Sequence, residues 1–217
     1  MNKLAQLTDR FTNHIHRCPL IAILRGIRPD EILAVGRALM ECGINIIEIP
    51  LNSPDPLESI RRLAADAGDN AIVGAGTVLR VEDVAAVKKA GGQLVVSPNT
   101  DPHVIAATVS AGMISIPGYF TPTEAFAAIH AGAHAIKLFP AEAASPAVVK
   151  AQRAVLPAGF PLFIVGGVQA EDATKWLSAG ASGFGLGGAL YRPGYSASHV
   201  YEAASQFVAA LPLQDLA

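Results

Sequence analysis

Three charged residues stand at or within the ends of apolar segments. Lys137 lies in HAIKLFP, Glu48 lies in INIIEIP, and Arg25 directly follows LIAIL. An amine among apolar side chains is partly desolvated, which favours the neutral form that attacks a carbonyl carbon. A carboxyl group such as that of Glu48 can relay protons beside the amine, and the planar guanidinium of Arg25 suits a carboxylate or phosphate. These residue types predict Schiff-base chemistry on an anionic carbonyl compound.

A purely structural interpretation of the same three residues stays open. Lys137 and Glu48 could form a buried ion pair of no chemical use, and Arg25 could be an ordinary surface arginine. Because the ion pair and the catalytic pair share the same arrangement along the chain, the sequence alone does not separate them.

Two glycine pairs and one threonine add candidate binding groups. Gly166–Gly167 follow the segment LFIV, and Gly187–Gly188 follow GFGL. Missing side chains let backbone N–H groups approach an anion, so these pairs predict a phosphate site, with tight turns as the alternative. Thr77 could bond a substrate oxygen or act as the N-cap of the helix that follows it.

The histidines and cysteines do not show metal-ligand spacing. His130 and His134 are separated by a predicted helix end at Gly132, and Cys18 and Cys42 are neither closely paired nor part of a disulfide framework. We therefore expect no metal, no cofactor, and reduced thiols in a cytoplasmic protein.

Short apolar segments that recur along the whole chain must position these residues. Nearly all end in Gly or Pro, as strands entering loops do. They are LIAIL (20–24), INIIEIP (44–50), AIVGAG (71–76), QLVVSP (93–98), MISIPG (113–118), AHAIKLFP (133–140), PLFIVGG (161–167) and GFGLGG (183–188). Amphipathic stretches of helical length lie between them, for example 30–43, 81–92, 121–132 and 170–180.

Alternating strand and helix signals predict parallel strands joined by crossover helices. Eight such units predict a single (β/α)₈ TIM barrel over residues 1–217, with an extra N-terminal helix before residue 19 that caps the barrel bottom. An open doubly wound sheet is the alternative, but residues 25–30 (RGIRPD) lack the glycine-rich fingerprint expected after its first strand.

Strand alternation then decides which side chains enter the barrel. If Ile136 and Leu138 face the helices, Lys137 and Phe139 face the interior. By the same rule Glu48 points away from the face shared by its two neighbours. Active sites of such barrels lie at the carboxyl ends of the strands, where all these residues fall.

Composition excludes several classes of function. The chain has 217 residues, 51% hydrophobic and 16% charged, with a net charge of −2 and no basic patch for nucleic acid. Its first eighteen residues lack the apolar core and cleavage site of a signal peptide. No apolar run approaches the roughly 18 residues of a membrane span, so we expect no membrane partner.

Several motifs in order resemble one known family. They are ILRG (23–26), EIPLNSP (48–54), GAGTVL (74–79), SPN (97–99), PG (117–118), TPTEA (121–125), KLFPAE (137–142) and VGGV (165–168). Together they resemble the class I 2-keto-3-deoxy-6-phosphogluconate and 6-phosphogalactonate aldolases over residues 19–208.

The resemblance implies a metal-free trimeric barrel that cleaves a phosphorylated 2-keto-3-deoxy sugar acid to pyruvate and glyceraldehyde 3-phosphate. It implies a Schiff-base lysine at Lys137, an acid/base glutamate at Glu48, and carboxylate contacts from Arg25 and Thr77. Phosphate would be held by the glycine loops, and we also expect substrate contacts from Pro98 and Phe139.

Three positions bear on the choice of epimer and on phosphate binding. Many gluconate enzymes carry Arg-Thr where this chain has Asn52-Ser53, and Thr where it has Val165, so both positions resemble the galactonate branch and are expected to contact substrate. Relatives often carry serine where this chain has Gly188, which removes a hydroxyl from the expected phosphate site but leaves an amide.

Alternative functions remain compatible with the same residues. The gluconate epimer could be the main substrate, or the barrel could be a phosphosugar isomerase or epimerase that uses Glu48 and Lys137 only as acid and base. A third alternative is a non-catalytic sensor of phosphorylated sugar acids, which the retained Lys137 and Glu48 disfavour.

Overall fold

A computed structural model describes residues 3–211 of the chain. Helices and strands alternate as predicted. The helices are α1 (Lys3–Arg17), α2 (Ile32–Glu41), α3 (Pro56–Ala67), α4 (Val81–Lys89), α5 (Pro102–Ser110), α6 (Pro122–His130), α7 (Pro146–Arg153), α8 (Ala173–Ser178) and α9 (Ala197–Ala210). The strands are β1 (Leu20–Ile23), β2 (Ile46–Pro50), β3 (Ile72–Gly76), β4 (Leu94–Val96), β5 (Ile114–Ile116), β6 (Gly118–Tyr119), β7 (Ile136–Leu138), β8 (Leu162–Val165) and β9 (Gly183–Leu186). Within residues 3–211, each helix is too short or too polar to span a lipid bilayer.

The strands form a nearly closed parallel barrel in the order β5-β4-β3-β2-β1-β9-β8-β7-β6. The predicted TIM-barrel architecture is therefore confirmed. One detail differs, because the predicted fifth strand is divided at Pro117 into β5, which pairs with β4, and β6, which pairs with β7. A proline cannot donate to a strand ladder, so the two halves bend around it and together fill the fifth place in the barrel.

Apolar side chains form two separate layers, one inside the barrel and one between barrel and helices. Ile136 and Leu138 belong to the outer layer, whereas Ala135 and Phe139 pack with the inner one. The predicted alternation of this strand is therefore confirmed. The same holds for β2, whose Ile46 is in the inner layer.

Helix α1 closes the bottom of the barrel, as the sequence predicts. Leu7, Phe11 and Ile15 lie on one face at intervals of four residues and join the inner apolar layer. The ring of Phe11 lies 6.5 Å from that of Phe163, which projects from β8. Water is thus displaced from one end of the barrel, and the functional groups collect at the other.

Candidate active site

A cavity of about 720 Å³ opens at the carboxyl ends of the strands. Its walls contain the reactive residues predicted from the sequence together with residues from the loops after β1, β8 and β9. The predicted residues in the lining are Arg25, Glu48, Thr77, Pro98, Lys137, Phe139, Val165, Gly166, Gly167, Gly187 and Gly188.

Lys137 enters this cavity from the centre of β7. Its residue is only 7% exposed, and its amine lies 5.2 Å from the centre of the Phe139 ring. Burial lowers the pKa of the Lys137 amine to about 8, against an opposing effect of the Glu48 charge. A larger fraction of the amine is therefore neutral near neutral pH than for an exposed lysine, which suits a nucleophile.

Glu48 faces the cavity from β2 and is 2% exposed. Burial raises the pKa of the Glu48 carboxyl to about 7, although the nearby charges of Lys137 and Arg25 lower it. Its Oε2 atom is buried and has no hydrogen-bond partner among the described residues. Gly76 on β3 makes room for the carboxyl, since a Cβ there would overlap it. An unpartnered carboxyl with a near-neutral pKa can accept and return a proton during a reaction.

Lys137 and Glu48 do not form a direct ion pair. Among residues 3–211, no nitrogen of Lys137 lies within 4.0 Å of a Glu48 oxygen, although the charge of each shifts the pKa of the other. The interpretation of these two residues as a contact ion pair is therefore wrong. Each group therefore faces the cavity without a direct polar contact to the other.

Arg25 lies at the cavity mouth, where residues of the loop after β2 hold it in place. Its Nη1 donates to Oδ1 of Asn52 at 2.7 Å, and the backbone N–H of Gly26 donates to Oγ of Ser53 at 2.9 Å. Asn52 itself is not part of the cavity lining. Its side-chain amide instead holds the Arg25 guanidinium, and contact between Asn52 and substrate stays a prediction.

Thr77 lines the cavity in an unusual backbone conformation. Its φ is +57°, a region that β-branched residues rarely adopt. The N-cap of α4 is Arg80, so the N-cap interpretation of Thr77 is wrong. Two hydrogen bonds to the carboxyl end of β4 fix the following residue, Val78. Its N–H donates to the Val96 carbonyl, and its own carbonyl accepts from the Ser97 hydroxyl. Such strain is typical of residues that are held for binding or catalysis.

The two glycine pairs present unpaired amides to the cavity. Gly166 and Gly167 have φ values of +110° and +63°, which glycine adopts without strain. Among the described residues, no protein acceptor is found for the N–H groups of Gly167, Gly188 and Ala189. These amides can donate to an anion, and the predicted phosphate site therefore has suitable donors.

Two charged residues in the lining were missed by sequence reasoning. The Glu142 side chain packs against Gly166 and Gly167, and a Cβ on Gly167 would lie 2.6 Å from its Cγ. Arg192 lines the same end of the cavity, where its Nε donates to the Gly188 carbonyl at 3.2 Å. Glu142 is the last residue of the motif KLFPAE, and Arg192 follows GFGLGG by four residues, but nothing in their local sequence shows that the loops fold back over the cavity.

The remaining histidines and cysteines lie away from this cavity. His134 Nδ1 accepts from the Ser115 N–H at 3.2 Å, and burial lowers the pKa of that imidazole. Cys18 and Cys42 are free thiols. In the part of the chain that the structure describes, no three His, Cys, Asp or Glu side chains form a group that could hold a metal ion.

Comparisons with known proteins agree with this geometry. The family model described as KDPG and KHG aldolase matches residues 11–203. The 2-dehydro-3-deoxy-6-phosphogalactonate aldolase of Escherichia coli K12 is 48% identical over 194 residues, which cover 89% of this chain and 95% of that protein. The 2-dehydro-3-deoxy-phosphogluconate aldolase of Pseudomonas aeruginosa is 30% identical over 179 residues, or 82% and 80% of the two chains. A solved structure described as "Native KDPGal structure" is 48% identical and superposes with a TM-score of 0.88, covering 89% of this chain and 94% of that one.

Proposed function

Because the chain belongs to the KDPG and KHG aldolase family, we propose that it reversibly cleaves 2-dehydro-3-deoxy-6-phosphogalactonate to pyruvate and D-glyceraldehyde 3-phosphate. The observation that carries this proposal is the arrangement of Lys137 and Glu48. A buried amine and a buried carboxyl line one cavity without contacting each other, so each remains available to a substrate.

In the proposed reaction, Lys137 supplies the nucleophile. Its neutral amine attacks C2 of the 2-keto acid, and loss of water converts the carbinolamine to an imine. The protonated imine withdraws electrons from the C3–C4 bond. Glu48 takes the proton of the C4 hydroxyl, the C3–C4 bond breaks, and its electron pair forms an enamine as glyceraldehyde 3-phosphate leaves. Proton return to C3 and hydrolysis of the imine release pyruvate and restore Lys137.

The other lining groups would each bind a different part of the substrate. Arg25 and Thr77 lie on the side of β1 and β3, where they would hold the carboxylate next to the imine carbon. The amides of the glycine pairs lie at the ends of β8 and β9, where they would hold the phosphate. The Phe139 ring beside the amine, together with Pro98, would exclude water and help keep Lys137 neutral.

The galactonate epimer is favoured by Val165. This side chain is 6% exposed in the cavity wall and offers no hydroxyl to a sugar hydroxyl near C4. Both epimers carry a C4 hydroxyl and differ only in its configuration, so an apolar wall that bonds neither discriminates only weakly between them, and the gluconate epimer would still be turned over.

The proposal is tested by turnover of the two phosphorylated epimers, measured as pyruvate formation coupled to lactate dehydrogenase. A higher kcat/KM for the galactonate epimer supports it. A strong preference for the gluconate epimer would reject the substrate assignment, and no pyruvate from either epimer would reject aldol cleavage and favour an isomerase or a sensor.

We further propose that the enzyme is a homotrimer in the cytoplasm. Leu57, Leu79 and Val81 are 37%, 50% and 44% exposed near the starts of α3 and α4, and such apolar residues suit contacts between copies. Free thiols suit a reducing compartment. Light scattering should give about three times the 22.4 kDa of one chain; a monomeric mass would contradict the trimer.

A further inference from the structure

We propose that the Arg192 guanidinium binds the phosphate group of the substrate, together with the amides of the two glycine loops. The inference rests on the proposed function, because it assigns an additional ligand within the same cavity. No motif that carries the family resemblance includes this residue.

The position of Arg192 is the first support. It lies in the cavity lining with Gly187 and Gly188, in the loop that follows β9. Its Nε donates to the Gly188 carbonyl at 3.2 Å, which fixes the plane of the guanidinium beside the expected phosphate donors. The structure gives its two Nη groups no acceptor among residues 3–211, so they remain available to phosphate oxygens.

The absence of a carboxylate partner is the second support. Several exposed arginines pair with acids, as Arg28 does with Asp30, and Arg61 with Glu58, whereas Arg17 and Arg25 join no ion pair among the described residues. Within the described residues, no carboxylate oxygen lies within 4.0 Å of Arg192. Its positive charge at the cavity is therefore not neutralised by a neighbouring side chain.

The charge balance at the glycine loops is the third support. Glu142 packs against Gly166 and Gly167, so a carboxyl group stands beside two of the residues expected to hold a phosphate dianion. Amide groups carry only partial positive charge, and Gly188 has no hydroxyl to add. A full positive charge in the same lining strengthens anion binding and offsets the Glu142 carboxylate, and the Arg192 guanidinium supplies it.

The test compares two aldehydes in the reverse reaction with pyruvate: glyceraldehyde 3-phosphate and unphosphorylated glyceraldehyde. Arg192→Gln keeps a donor for the Gly188 carbonyl but removes the charge. We expect its KM for glyceraldehyde 3-phosphate to rise about 10- to 100-fold, as for loss of a charge-assisted hydrogen bond, with kcat/KM for glyceraldehyde within about twofold of wild type. Arg192→Lys should recover part of the loss, and inorganic phosphate should inhibit Arg192→Gln more weakly than wild type.

Arg61→Gln is the matched control, because Arg61 is exposed in a surface pair with Glu58 and lies outside the cavity. It should leave both aldehydes unaffected. The role of Arg192 is overturned if Arg192→Gln leaves both aldehydes unchanged, or if it slows both equally, as a merely structural residue would. Wild-type protein that adds pyruvate to neither aldehyde would reject the proposed function itself, so the two failures are distinguishable.

Discussion

Replacement of Gly76 by alanine should separate activity from stability. Gly76 ends β3 beside Pro50 of β2, and a Cβ at this position would overlap both carboxyl oxygens of Glu48. The φ of Gly76 lies outside the left-handed region, so alanine adds no backbone strain. Because Glu48 is 2% exposed, its carboxyl cannot avoid the added methyl group by turning into bulk solvent, and it must shift within the cavity.

The expected sizes of the two effects differ. Overpacking a buried site costs about 1–3 kcal/mol, and replacing a strand glycine by alanine returns about 0.5–1 kcal/mol of chain entropy. The net loss in free energy of unfolding should therefore be about 2 kcal/mol or less. Displacement of a catalytic group by about 1 Å, in contrast, lowers the rate about 100-fold. Urea denaturation and the lactate dehydrogenase-coupled assay measure the two quantities.

Two controls make this prediction decisive. Gly36→Ala also creates an overlap, with the Leu63 side chain in the outer layer, and should leave turnover intact. In a Glu48→Ala background, Gly76→Ala should cost no stability, because the overlapping carboxyl is gone. Near wild-type turnover by Gly76→Ala, or an undiminished stability loss in the Glu48→Ala background, would refute the link between Gly76 and Glu48.

Three further changes test the remaining groups. Imine formation with pyruvate should increase with pH through about 8, where the Lys137 amine loses its proton. The charge of Glu48 raises the Lys137 pKa, so Glu48→Gln should lower the pH at which the borohydride-trapping rate is half-maximal. A shift of that pH upward would contradict the coupling of the two groups. Phe11→Ala should lower the free energy of unfolding by about 3–5 kcal/mol in urea titrations while kcat of folded enzyme persists, whereas exposed Tyr201→Ala should change neither. Asn52→Ala should raise KM for pyruvate up to about tenfold by freeing Arg25, with Asn70→Ala as a silent control; an unchanged KM would remove Asn52 from the site.

Strand alternation makes much of this fold and site predictable from sequence. The period-two rule places Lys137 on the face opposite Ile136 and Leu138, and once those two residues face the helices it directs Lys137 into the barrel. Barrel topology then brings Glu48, Arg25 and the glycine pairs to the same rim. The family resemblance further indicates the class of reaction, which alternation alone does not.

The features that were missed depend on tertiary placement. Whether Thr77 caps a helix or turns into the cavity depends on bonds that β4 makes to the next residue, and those are not visible locally. The Asn52 amide could bond a substrate oxygen, but in the structure it bonds Arg25, which follows β1. Arg192 and Glu142 reach the cavity only because loops after β9 and β7 fold over it. The division of the fifth strand at Pro117 is the exception, since the proline itself marks it.

Covalent trapping tests the central role of Lys137 most directly. The protein is incubated with pyruvate and borohydride, digested, and examined by mass spectrometry, with the exposed Lys150 on α7 as an internal comparison. The account predicts that the reduced pyruvate adduct forms on Lys137 and is lost in Lys137→Arg. An unmodified Lys137, or an adduct that persists at another lysine in that variant, would contradict it.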